Sequence, residues 1–245
     1  MARPAVAADP SLQVYLLGTV DFEEMLQFQR RLVYEVSGDR WRAMLVLCEH
    51  GPLISVGREG SLEHIGFEPH ELAAREWPVR WVNRGGGCLL HLPGQLAVYP
   101  ILPLDRLGLN LNEYLERLHG VLLDVIAGLE VPATRRKDHA GIWIDGRLIA
   151  HVGVAVRQWV TYFGAAVNVH PDLEPFRRVL VAGPGEPPMT SLARESKERV
   201  RDGTVRQRLV ETFARRFGFD RVSLFHSHPA LTRPAAANAF AAASR

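Results

Sequence analysis

Apolar residues recur along this chain in two rhythms, one suited to helices and one to strands. After Asp21, the residues Phe22, Met25, Leu26, Phe28 and Leu32 fall on one side of a 3.6-residue period, which predicts a helix capped by Asp21 and running to about residue 36. Asn110-Leu-Asn-Glu113 has the form of a capping box, and Leu115, Leu118, Leu122, Ile126 and Leu129 follow at helical spacing. A last helix over residues 204–217 places Val205, Leu209, Phe213 and Phe217 on one stripe. Short apolar or alternating runs predict strands at residues 13–17, 44–48, 79–83, 88–91, 142–144, 147–156 and 160–169. Asp145-Gly146 is a hairpin turn between two of them. Interleaved helices and strands with hairpins predict an α+β fold, a mixed β-sheet flanked by helices, rather than a doubly wound parallel sheet. One domain is expected over residues 13–222, after an extension at 1–12 and before a flexible tail at 223–245 that ends Ala-rich.

Composition narrows the class. Of 245 residues, 47% are hydrophobic and 23% charged, an ordinary globular balance that excludes wholesale disorder. No apolar run approaches the roughly 18 residues that cross a bilayer, and the first residues lack the apolar core of a secretory signal. Cys48 and Cys88 are too few for a disulfide framework and suit a reducing cytoplasm, the expected location. A net charge of +2 makes no case for nucleic acid, and neither nucleic acid nor membrane is expected as a partner. Lys137 and Lys197 are the only lysines, against 27 arginines, and both read as surface charges. His226 and His228 lack a third ligand nearby, so no metal site is expected there, and no sequence feature calls for a cofactor.

The chemistry-bearing segment is Arg84-Gly85-Gly86-Gly87, set between two expected strands and followed by His91 and Pro93-Gly94-Gln95. Successive glycines leave N–H groups unshielded and admit positive φ, so the chain can wrap closely round a ligand. Arg84 adds a fixed charge suited to a carboxylate, phosphate or thioester carbonyl. A tight hairpin with no ligand is the plain alternative.

The run R-G-G-G-C-L-L-H-L-P-G-Q-L-A-V-Y-P-I from Arg84 resembles the signature of the octanoyl-acyl-carrier-protein:protein octanoyltransferases, R-G-G-D-V-T-Y-H-G-P-G-Q-L-V-G-Y-P-I. Residues 49–58 resemble the upstream block E-H-P-P-V-I-T-L-G-R, Gly141-Ile-Trp143 resembles G-V-W, residues 164–169 resemble G-F-A-L-N-V, and Thr190-Ser-Leu192 completes the order. The resemblance implies the fold of lipoate and biotin protein ligases. It also implies a reaction that moves an octanoyl group from acyl carrier protein to a lysine of a lipoyl domain, in 2-oxoacid dehydrogenases or the glycine cleavage H protein. The substrate pocket is expected from Arg84, Gly85, Gly86, Gly87, Cys88, Leu89, Leu90 and His91, with His151, Val152, Gly153, Gly164, Ala165 and Ala166. Their small side chains leave room for a thin acyl chain.

The family relays the acyl group through a cysteine assisted by a lysine, and the resemblance carries those roles to Ala182 and Leu148. An alanine methyl forms no thioester, and leucine offers no charge to lower a thiol pKa. Gly87, Leu89, Leu90, Leu92 and Phe163 stand where the family has Asp, Thr, Tyr, Gly and His. Strand alternation places 87, 89 and 91 on one face and 88 and 90 on the other, so Cys88 faces away from the ligand if His91 faces it. Cys48 reads as core. Cys88 as substitute nucleophile and His151 as general base remain the candidates for replacement chemistry, with a structural role as the alternative for each. Beside an octanoyltransferase of altered chemistry stand two further readings: a non-catalytic protein that binds an acyl chain, a lipoyl domain or an active partner subunit, and a lipoate or biotin ligase. Ligases of that group rely on a lysine in the strand where Leu148 lies, and no G-x-x-x-x-G-K-[ST] run is present.

Overall fold

The computed structural model describes residues 11–136, 140–181 and 188–231. The first half of the chain forms β1 (Ser11–Thr19), α1 (Phe22–Gly38), β2 (Arg42–Glu49), β3 (Leu53–Val56), α2 (Pro69–Ala74), β4 (Val79–Trp81), β5 (Cys88–His91) and β6 (Gln95–Ile101). The second half forms α3 (Leu111–Ala127), β7 (Thr134–Arg135), β8 (Gly141–Ile144), β9 (Arg147–Arg157), β10 (Val160–Asn168), α4 (Leu192–Glu195), α5 (Asp202–Phe217) and β11 (Arg221–Phe225).

Eight strands make one sheet in the order β11-β1-β2-β6-β10-β9-β8-β7. Its first three strands run parallel, and every pairing from β2 to β7 is antiparallel, so the sheet is mixed. A second sheet, β4-β3-β5, lies apart from it in the pairing. The apolar runs are continuous because the large sheet is covered on both faces. Along β2, Ala43, Leu45 and Leu47 join the core under α3 and α5, while Met44, Val46 and Cys48 join the core under α1.

The helices form for the local reasons the sequence displays. Asp21 accepts from the N–H groups of Glu23 and Glu24, and Asn110 and Glu113 cap α3 reciprocally. On α5 all four stripe residues are buried, whereas Leu26 on α1 and Leu115 on α3 are only half-buried, as is Leu129, which lies past the end of α3. Asp145 and Gly146 both have positive φ, as a two-residue hairpin turn requires; Gln158-Trp159 makes the same kind of turn without a glycine.

Two expectations need correction. Residues 53–56, 95–101 and 221–225 are strands that the sequence pattern did not single out. The last of these pairs in register with β1, so residues 223–225 belong to the sheet rather than to a tail, and His228 beyond them packs on Tyr15 and Phe28. Among the described residues, no helix is long and apolar enough to cross a membrane.

Candidate functional site

Strand β9 contains one extra residue relative to β8. Ile142 pairs with Ala150 but Trp143 pairs with Leu148, leaving Ile149 unopposed. Ile149 and Ala150 consequently both enter the core beneath the helices, together with Val152 and Val154. Beyond the bulge the alternation is reversed, and Leu148 comes to the same face as His151 and Gly153. A Cβ added to Gly141, the partner of His151, would touch the Leu148 side chain at 2.6 Å.

That face meets the small sheet and the start of α1. Phe22, Arg84, Leu89, His91, Tyr99, His151, Gly153, Phe163, Gly164, Ala165 and Ala166 surround an inner cavity. Eight of the fourteen residues expected in a pocket are therefore brought together. Phe22 and Tyr99 were missed, having arrived from elements distant in sequence. Phe163 was noted only as a departure from the family pattern.

The other six expected residues are placed differently. Val152 faces the helices, and Cys88 and Leu90 face the core of the small sheet with Val56 and Phe67. The Cys88 thiol donates to the Ser61 carbonyl, and burial raises its pKa. Gly85, Gly86 and Gly87 fold onto the protein instead of round a cavity. The Gly85 N–H donates to the Val154 carbonyl and that of Gly86 to Glu59, while the carbonyls of Gly86 and Gly87 accept from residues 59 and 57. These peptide groups are satisfied internally, which removes two of the donors the glycine run was expected to offer. Gly86 adopts φ +78°, and a Cβ there would lie 2.6 Å from His151 Nε2. One built on Gly153 would lie 2.5 Å from the Gly85 carbonyl oxygen. The glycines permit the run to close over β9.

Arg84 is 4% exposed, and its guanidinium donates to the Ser55 carbonyl (3.0 Å), Ser55 Oγ (2.8 Å) and the Gly85 carbonyl (3.0 Å). Its acceptors among the described residues are uncharged oxygens, and burial lowers its pKa to about 10. Ser55 Oγ also meets His91 Nε2 at 2.9 Å. His50 links the Val20 carbonyl to the Tyr99 hydroxyl, at 2.8 Å each, and burial depresses its pKa to about 4. Burial likewise holds the imidazoles of His91 and His151 well below their ordinary range, with Arg84 acting in the same direction on both. The cleft thus presents neutral imidazoles beside one cation. It can stabilise negative charge and accept a proton, but a nucleophilic thiol does not line it. Cys48 is fully buried within 3.7 Å of His50 Nε2, and burial raises its pKa strongly.

Leu148 is 3% exposed and packs with Trp143, Val181 and Met189. Ala182 lies outside the described residues, as does Lys137. Among the described residues, no group of three or more His, Cys, Asp or Glu side chains is arranged to hold a metal ion.

Residues 21–214 match the family model described as the lipoyl protein ligase A/B catalytic domain. This chain belongs to that family. An octanoyltransferase of Geotalea uraniireducens is 38% identical over 197 residues, covering 80% of this chain and 89% of the relative. The fold matches that of a lipoate-protein ligase A bound with ATP, with a TM-score of 0.69 at 17% identity over 88% of this chain and 90% of the other. It also matches a bipartite lipoate protein ligase of Thermoplasma acidophilum, solved with its E2 lipoyl domain in view, with a TM-score of 0.63 at 16% identity and 88% coverage of each. These two likenesses are of fold.

Proposed function

We propose that the protein acts in protein lipoylation in the cytoplasm, holding an octanoyl or lipoyl chain against the β9–β10 face without the thioester relay of the octanoyltransferases. Its partners on this reading are acyl carrier protein and lipoyl domains. The observation that carries the proposal is Leu148. The β9 bulge turns it toward the cleft face, where the resemblance expects a lysine, and it packs there with the apolar side chains of Trp143, Val181 and Met189. A relay needs a thiolate to attack the carrier thioester, expel the carrier thiol, and then release the acyl group to a lysine amine. Leu148 and Ala182 supply neither the thiolate nor the cation that favours it, and removal of such groups costs about 10³–10⁶ in rate.

The test is octanoyl transfer from octanoyl-acyl carrier protein to a lipoyl domain, followed by intact mass. The unchanged protein is expected to show no octanoyl adduct and no transfer. The double variant Ala182→Cys with Leu148→Lys is expected to gain both. Strong transfer by the unchanged protein that survives Cys88→Ser would overturn the proposal.

A further inference from the structure

The inner cavity encloses about 20 Å³, room for a single water, so no acyl chain enters it until a lining side chain moves. On the far side of Phe163 lies a groove of about 550 Å³ between α1 and the β9–β10 hairpin. Leu26, Val33, Val82 and Tyr162 give it apolar surface, Arg30, Asn83, Arg157 and Gln158 give it polar surface, and Trp81, 63% exposed, also lines it. Phe163 lines both spaces.

Two unfavourable features coincide at this partition. Phe163 holds φ +54°, a left-handed backbone that a bulky side chain adopts at a cost of about 1–3 kcal/mol. Its N–H is held there by Gln29 Oε1 at 2.7 Å, across 134 residues of sequence. Gln29 is buried, and its Nε2 has no hydrogen-bond partner among the described residues. Other groups round the cavity are fixed more firmly. Arg84 makes three hydrogen bonds and His91 is tied to Ser55, whereas the Phe163 ring is held by apolar packing under α1 and by ring contacts to Tyr99 and Tyr162.

We infer that the Phe163 ring is a movable partition that sets acyl chain length: swung aside, it joins the inner cavity to the α1 groove, which takes the tail of a chain longer than eight carbons. This rests on the acyl-binding reading above and extends it to substrate selection. Moving the ring out together with its backbone lets residue 163 leave the left-handed region and frees the Gln29 amide to turn. The groove commits to a hydrocarbon tail because Leu26, Val33, Val82 and Tyr162 supply apolar surface beside Phe163, the residue whose ring lines the acyl site as well.

The test is equilibrium binding of straight-chain carboxylates from octanoate to tetradecanoate to the full chain. Affinity is expected to rise about fourfold per added methylene beyond eight carbons, the value for transfer of a methylene out of water. A bromine at the tail end of dodecanoate is expected to quench the Trp81 part of the fluorescence, identified by its loss in Trp81→Phe, while a bromine beside the carboxylate leaves it unchanged. Trp81 is exposed, so Trp81→Phe leaves the core intact. Phe163→Ala is expected to tighten the long chains further. If octanoate binds but affinity stays flat beyond it, the partition is a fixed wall and the inference fails while the acyl-binding reading stands. If quenching comes from the bromine beside the carboxylate, the groove holds the head group and the inference fails. If no carboxylate binds, both fail.

Discussion

At the scale of single residues, the cleft depends on polar groups buried in their less soluble states. His50 has a folded pKa of about 4 against an ordinary 6.5, so the unfolded chain binds the extra proton between those values. Stability therefore rises with pH through that window and is lost as pH falls from 6.5 toward 4, by on the order of 3 kcal/mol for this group. His91 and His151 are shifted in the same direction. Urea midpoints at pH 7 and pH 4.5 should show the loss, and His50→Gln should flatten the slope. Exposed His170, raised by Asp202, acts oppositely: its contribution is present below 6.5 and fades as pH rises past its folded pKa. A different residue-scale prediction concerns Gly86. Gly86→Ala forces a Cβ into His151 at a left-handed φ, and should cost about 1–3 kcal/mol in denaturant titration. The glycine run was visible in the sequence as a place of close approach. Its target was not: it approaches β9, and the neighbour that makes Gly86 obligatory lies 65 residues later in the chain.

Among elements, α1 does two tasks. Asp21 caps it, and the next residue, Phe22, forms part of the cavity wall. Asp21→Ala should cost about 1 kcal/mol, as should Asn110→Ala on α3. Only the first should also weaken acyl binding, because α3 lies on the opposite face of the sheet; comparing thermal midpoints with octanoate affinity separates the two effects. The helices were legible because each buries one stripe, and their caps are spelled out by Asp21 and by the Asn110 and Glu113 pair. Strand β6 was not, because it is buried on both faces and shows no alternation, and Pro100 interrupts its apolar run. Phe22 reaches the cavity from a helix position that reads simply as core, and Tyr99 reaches it from β6, the strand the pattern did not single out. The bulge in β9 escaped for a related reason, since Ile149 and Ala150 are both apolar and nothing in their identity marks which is unopposed.

Across the whole molecule, α5 is bound to the sheet by more than its apolar stripe. Arg206 donates to the carbonyls of Leu17 and Leu47 and pairs with Glu49, whose other oxygen accepts from the Gly94 N–H. One guanidinium thus ties the ends of β1 and β2 to the turn preceding β6. Arg206→Lys keeps the charge but not the planar fork, and should lower stability by about 1–2 kcal/mol with little dependence on salt, measured as denaturant midpoints at low and high ionic strength. Fold class and family were readable because the apolar rhythms and ordered blocks run through most of the chain. The volume of the cleft was not, because it depends on how Phe22, Phe163, Arg84 and His151 fill space that small residues alone would leave open.

The unopposed Ile149 also fixes what a one-residue loss would do. With that residue removed, β8 and β9 would run flush with Ala150 still opposite Ile142 and Leu148 still opposite Trp143, so Leu148 would keep its place on the side of His151. Arg147 would stay forked onto Glu195, so the deletion would take one apolar side chain out of the core under the helices and bring no positive charge to the position where the resemblance expects a lysine.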